Sequence, residues 1–267
     1  MRQQSIRLLA SVAMTAILAA GLGGCQTMSD ITGSISPKSS ASAETDSRQA
    51  VDVTGERYRA DPKNAEAALA YGQALRASGQ RSQAAAVLEQ ATIAHPGDKA
   101  LLAGYGRALA DNGNFQQAFD VLNRAHSPDN PDWRLLSVQG TTLDQLGRHD
   151  EARRYYESAL KIVPGEPSVL SNLGLSYMLS KNLPKAEEAL RQAYASGRAD
   201  ARVRQNLALV IGLQGRFAEA EQIVRADLPP DEATANVAYL KQMLNRKDDP
   251  RLGNAGKMPV ASLNRPE

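Results

Sequence analysis

Few residues in this 267-residue chain are placed to do chemistry on a substrate. The three histidines, His95, His126 and His149, fall at predicted helix ends or turns, and none has a carboxylate or cysteine at metal-ligand spacing. Each reads as a surface or helix-terminal residue. Charge runs such as Glu151 to Glu157 and Lys185 to Arg191 contain helical pairs, Glu187 with Arg191 among them, and read as solvated helix faces. The glycines recur at a long fixed interval and form no phosphate-binding loop. These residues predict no enzyme, no cofactor, no metal and no small-molecule substrate. One group stands apart, the thiol of Cys25; it is the only cysteine, so a structural disulfide within the chain is excluded.

Cys25 ends a segment with an order of its own. Arg2 and Arg7 precede a largely apolar stretch from Leu8 to Leu22, and Gly23, Gly24, Cys25 and a polar segment follow. Basic residues, an apolar run and small residues before a cleavage point make a secretory signal peptide, here 1–24. An uncleaved membrane anchor fits less well, because the run is short for a bilayer and is interrupted by Ser11, Thr15 and Gly21. The sequence Leu22-Gly23-Gly24-Cys25 resembles the bacterial lipobox. That resemblance implies transfer of a diacylglyceryl group to the Cys25 thiol, cleavage before it, and acylation of the new amino terminus. Several acyl chains exceed the two signals that stable anchoring requires. Gln26 stands where aspartate is associated with inner-membrane retention, which implies the outer membrane, with the chain lipid-anchored and facing the periplasm.

Behind this segment a register of 34 residues organises the chain. Gly72, Gly106, Gly140 and Gly174 recur at that spacing, as do Ala84, Ala118, Ala152, Ala186 and Ala220, in step with Leu88, Leu122, Tyr156, Leu190 and Val224. Leu75, Leu109, Leu143, Tyr177 and Ile211 form another row, and Gly79, Gly113, Gly147 and Gly215 a further one in which Lys181 is the exception. Small and large residues in separate rows mean stacked helical hairpins. A glycine inside an amphipathic helix costs about 1 kcal/mol relative to alanine, so four in phase require the close approach of a partner helix. The alanine row, about twelve residues on, is the expected meeting point, with Gly140 against Ala152 in the middle hairpin. The turn glycine between them lets the chain reverse, and Pro96, Pro131 and Pro164 interrupt the end of the second helix.

These rows resemble the tetratricopeptide repeat (TPR) family, most fully from Trp133 through Leu136, Gly140, Leu143, Gly147, Ala152, Tyr156 and Ala159 to Pro164. Five repeats fit, at 65–98, 99–132, 133–166, 167–200 and 201–234. The resemblance implies an all-α, right-handed TPR solenoid. Ala68 is undersized for its row, and Arg204 and Asp227 stand where other repeats are apolar or small, as the water-facing ends of a solenoid allow. Ala50 and Pro62 lie in phase one period earlier, so Gln49 to Arg59 reads as an N-terminal half-repeat. Asp231 to Asn245 reads as a C-terminal capping helix with an apolar stripe of Val237, Leu240, Met243 and Leu244, which closes a solenoid at 48–245.

Residues 25–47 are rich in Ser, Thr and Ala and read as a flexible tether beyond the lipidated cysteine, about 25 Å long on average at roughly 5–6 Å times the square root of its length. Residues 246–267 are polar and contain Pro250 and Pro266, and read as a disordered tail. Lysine and arginine number 31 against 29 aspartates and glutamates, and removing Arg2 and Arg7 with the signal segment brings them to balance. Such a chain carries no nucleic-acid footprint.

Function then falls to the groove. In TPR solenoids the first helices line the concave face, and by that resemblance the face here begins polar, with Gln73, Arg76, Arg107, Asp111, Arg134, Asp144 and Gln145, and also presents Arg202 and Gln205. It turns apolar at Leu175, Met178, Leu179, Leu209 and Leu213, continued by Tyr239. Methionine and leucine on an accessible surface suit adaptable peptide binding; packing of repeat four on repeat five is the other use of these residues. Trp133 reads as inter-repeat packing. The carboxylate clamp of co-chaperone TPRs is missing, since Leu69, Gln73, Ala103, Arg107, Ser137, Thr141, Ser171 and Leu175 occupy the corresponding places.

A TPR solenoid behind a lipobox and a serine-rich tether resembles the tight-adherence (Tad/Flp) pilus assembly lipoproteins of the TadD type, and more loosely the pilotins of type IV pili. The resemblance implies a protein-binding scaffold that helps the pilus secretin localise or assemble, so the expected partner is the secretin or another pilus component. A TPR lipoprotein that recruits or regulates peptidoglycan hydrolases is the alternative.

Overall fold

The computed structural model describes residues 37–247, and every element in them is a helix. Helix α1 (Pro37–Ala60) is followed by five antiparallel pairs and a closing helix. The pairs are α2 (Ala65–Ala77) with α3 (Arg81–Ala94), α4 (Lys99–Asp111) with α5 (Phe115–Ala125), α6 (Trp133–Gln145) with α7 (His149–Ile162), α8 (Pro167–Leu179) with α9 (Leu183–Ala195), and α10 (Ala201–Leu213) with α11 (Phe217–Val224). Helix α12 (Pro230–Lys247) closes the stack.

Local sequence starts and stops these helices at the repeat interval. Asn64, Asp98, Asp132 and Asp200 cap first helices, each side chain accepting from a backbone N–H of the opening turn, such as that of Ala67 or Val203. At the fifth such position Glu166 makes no cap bond, and Pro167 opens α8 where its missing donor is harmless. Between the helices of a pair the chain passes through the left-handed region, as at Gly147 with φ 75°. Lys181, the exception in that row, adopts the same conformation at φ 60°, at a cost of roughly 1–2 kcal/mol relative to glycine.

The pairs interlock through the glycine row, but the partner differs from the alanine expected from sequence. A methyl group built on Gly72 or Gly106 would lie 2.5–2.6 Å from the side chain of Leu88 or Leu122, and on Gly140 it would lie 2.5 Å from Cε1 of Tyr156. The glycines make room for the large row. The alanine row contributes its backbone, with the Ala118 and Ala186 carbonyl oxygens 3.4 and 3.1 Å from the same points on Gly106 and Gly174. In the fifth pair these rows read Ala208 and Val224, both buried in one cluster, so a larger small residue is matched by a smaller large one. The core is a succession of such clusters, each shared by neighbouring pairs, as nearest-neighbour repeat packing requires.

The N-terminal end departs from the sequence reading, and the C-terminal end keeps it except at Met243. Helix α1 starts at Pro37, so residues 37–47, assigned above to the tether, are helical. Scarcity of large apolar residues argues against packing, whereas alanine, lysine and glutamate are good helix formers regardless. Farther along α1, Tyr58 stacks on Tyr71 with ring centroids 5.4 Å apart, which ties it to α2. At the other end α12 keeps the register, with Val237 buried one period after Val203 and Leu240 against Gly212. Ala238, Lys241, Gln242 and Asn245, which would meet the second helix of a further repeat, are exposed and mostly polar. Met243 of the expected apolar stripe is 46% exposed.

Candidate functional site

At about 100° per residue, each first helix turns one arc toward its second helix and leaves the opposite arc free. The midline of that free arc is a single repeat position, occupied by Gln73, Arg107, Thr141, Leu175 and Leu209 and, on α12, by Met243. Polar residues therefore give way to apolar ones along one continuous face.

On the polar half, Arg76 Nε donates to Asp111 Oδ2 at 2.6 Å across α2 and α4. The Arg107 guanidinium is 3.9 Å from Asp132 Oδ2, and Arg134, exposed, lies over the Trp133 ring at 4.4 Å. Burial lowers the pKa of Arg107 from its ordinary value, with Asp132 opposing the shift and Arg76 and Arg134 adding to it.

Asp144 does not belong to the accessible face. Its carboxylate is buried and accepts from Tyr156 Oη at 2.9 Å, Ser176 Oγ at 2.8 Å and His149 Nδ1 at 2.8 Å. Three donors from α7 and α8 satisfy the charge, and α6 is pinned to both neighbours. Burial, reinforced by Asp144, pushes the Tyr156 hydroxyl well above the ordinary tyrosine range. His149 thus has the carboxylate partner that sequence spacing failed to reveal. The cluster is not a nucleophilic triad, because fully buried Ser176 donates to the aspartate and not to the imidazole. Among the described residues no group of three or more His, Cys, Asp or Glu is placed to hold a metal ion, and no helix is long and apolar enough to cross a membrane.

Two further first-helix residues, Ser137 and Ser171, are buried in a ladder. Asn172 Nδ2 donates to Ser137 Oγ at 3.1 Å, and Asn206 Nδ2 to Ser171 Oγ at 2.9 Å, linking α8 to α6 and α10 to α8. Most of the remaining predicted residues keep some exposure outside these internal contacts. Gln145, Leu179 and Arg202 are exposed, and Leu175, Gln205, Leu209 and Leu213 are half-buried outside the core clusters. Met178 is half-buried too but packs against the cluster of the last repeats. Met243, which reads from sequence as part of the cap stripe, stands one period from Leu209, and that spacing places it on the midline. Cys25 lies outside the described residues.

The tetratricopeptide repeat family model matches residues 69–132, 137–201 and 171–233, which overlap the observed pairs. The chain belongs to the tetratricopeptide repeat family. TPR folds of this kind are characteristically protein-binding scaffolds without catalytic machinery. Among solved structures, the TPR chain is similar to PilW, a widely conserved type IV pilus biogenesis factor, with TM-score 0.64 and 19% identity over 73% of this chain and 91% of PilW. It is also similar to the thermophilic TPR protein TTC0263 of Thermus thermophilus, with TM-score 0.58 and 22% identity over 67% of this chain and 100% of that one. Similarity to the Cut9-Hcn1 assembly of the APC/C has TM-score 0.62 at 16% identity over 78% of this chain, which spans 42% of the length of that one. At these identities the likeness concerns the fold alone. No curated protein matches the sequence.

Proposed function

We propose that this TPR protein is a lipid-anchored scaffold on the periplasmic face of the outer membrane, and that its first-helix face captures a segment of the secretin, or of another component, of a tight-adherence pilus. The observation that carries the reading is the apolar end of that face. Leu175 and Leu209 on the midline, with Leu179 and Leu213 beside them, remain partly accessible outside the core clusters. Contiguous apolar surface of this kind marks an interaction site more often than chance exposure. The lipobox at Leu22 to Cys25 supports the anchor, and the similarity of fold to a type IV pilus biogenesis factor is consistent with the pathway.

Capture of the secretin from solubilised membranes tests this reading. A charge at Leu175 or Leu209 has to be desolvated against an apolar ligand, so Leu175→Glu and Leu209→Glu should stay folded by circular dichroism, lose the secretin and lose piliation. Glu188→Lys, on the exposed surface of the second helix α9, should retain both. Folded Leu175→Glu and Leu209→Glu proteins that still capture secretin would remove the apolar face from the function.

A further inference from the structure

The polar end of the midline is built around a guanidinium short of partners. Arg107 has 25% of its side chain exposed, and its nearest carboxylate oxygen, Asp132 Oδ2 at 3.9 Å, is beyond hydrogen-bond range. Among the described residues Arg107 makes no hydrogen bond. Of the carboxylates around it, Asp111 holds Arg76, and Asp132 accepts from the Arg134 backbone N–H through Oδ1 at 2.9 Å as the cap of α6, which leaves only its Oδ2 turned to Arg107, at ion-pair distance without a hydrogen bond. Arg76 and Arg134 come from the helices on either side, so three guanidinium groups on successive first helices share two carboxylates, Asp111 and Asp132, and one positive charge is left over. The repulsion that Arg76 and Arg134 exert on Arg107 is what an arriving anion would relieve. Five donors in a fixed fork suit arginine to donate to both oxygens of a carboxylate.

We propose that the segment held by this face carries aspartate or glutamate side chains that dock on Arg107 and, at a fixed distance from them along its sequence, apolar side chains that lie on Leu175 and Leu209. This rests on the reading above that the apolar end binds a partner, and adds the partner's chemistry and the spacing of its acidic and apolar groups. The charge of the polar end selects acid there, and the apolar end excludes it, so a segment of the opposite orientation would bury its carboxylates against leucine. Arg107 and Leu175 are two first helices apart, or roughly 16–20 Å at packed interaxial distances of about 8–10 Å. An extended segment covers that in about five or six residues at roughly 3.3 Å each.

Random peptides displayed on phage, joined through their C-termini so that no free terminal carboxylate is present, supply the probe. Peptides selected on the full chain should contain an acidic residue about five or six positions from an apolar pair. A synthetic, C-terminally amidated copy of a selected peptide should bind about 10-fold or more weakly to Arg107→Gln, as loss of a charge-assisted hydrogen bond requires, and should be lost by Leu209→Glu. Selection on Arg134→Glu, a change at an exposed residue, should shift the acidic preference toward lysine and arginine. Selected peptides that lack acid and ignore Arg107→Gln, yet are lost by Leu209→Glu, would overturn this proposal and leave the apolar groove standing. Peptides indifferent to both variants, or no binder to the folded chain, would count against both.

Discussion

Arg204 and Asp227 break two rows of the repeat, and they break them together. Other repeats hold leucine at the first position, as at Leu136 and Leu170, and alanine at the second, as at Ala159 and Ala193. In the structure Arg204 Nε donates to Asp227 Oδ2 at 2.7 Å while Nη1 donates to the Ala199 carbonyl at 2.8 Å, with 23% and 12% of the two side chains exposed. What reads from sequence as tolerated wear at a solenoid end is one substitution of an apolar contact by an ion pair. Asp227→Ala should therefore destabilise by about 1–3 kcal/mol, since it leaves a half-buried guanidinium unpaired, whereas Arg204→Leu with Asp227→Ala should recover most of that loss. A urea-unfolding double-mutant cycle reads the coupling. Strictly additive losses would show that the two residues act independently. Asp144 carries a related lesson. Its place in the register, shared with Arg76, Ala110, Met178 and Gly212, gives no hint of a buried role, because its donors Tyr156, His149 and Ser176 lie on two other helices.

At the scale of the helix pair, volume complementarity between two rows sets the packing. Gly106→Ala would gain about 1 kcal/mol of helix propensity in open space, but its methyl carbon would stand 2.6 Å from Leu122, so a net loss of roughly 1–3 kcal/mol is expected. Adding Leu122→Val should restore part of the loss, because alanine facing valine is the combination already present at Ala208 and Val224. Thermal unfolding of the single and double variants checks this, and a stabilised Gly106→Ala protein would mean that the helices are not held at this crossing. Most of the elements were legible in the sequence for the same reason. Rows of small, large and turn residues at one interval give the pairs, their turns and their order, down to Lys181 as the one turn without glycine. The length of α1 was not legible, since its first part lacks the large apolar residues that reveal a packed helix, and the glycine row named its own need for space without naming which row filled it. The free face was legible as a set of residues. Which of them are taken up internally was not: Ser137 and Ser171 are polar groove residues in sequence and buried acceptors of Asn172 and Asn206 in the fold.

For the molecule as a whole, the proposed function joins a scaffold face to a lipid anchor. The anchor rests on Leu22 to Cys25: Cys25→Ser should accumulate an unprocessed precursor and lose the mature outer-membrane species, which metabolic labelling with a fatty acid and membrane fractionation would read. The face rests on a gradient that no single repeat contains, from Arg107 through Thr141 to Leu175, Leu209 and Met243. Its neighbours on the packing side are fully buried, as at Leu207 and Val210, so accessibility on the midline belongs to these positions and is not a general looseness of the last repeats. The central claim is that a partner polypeptide lies along this face in the cell. Photo-crosslinking in living cells, with a photoreactive amino acid in place of Leu209 or, as a control, of Glu188 on α9, measures that most directly. A partner on this face should give a discrete adduct with a pilus assembly protein from position 209 and none from position 188; adducts with that protein from position 188 alone would contradict the proposed site.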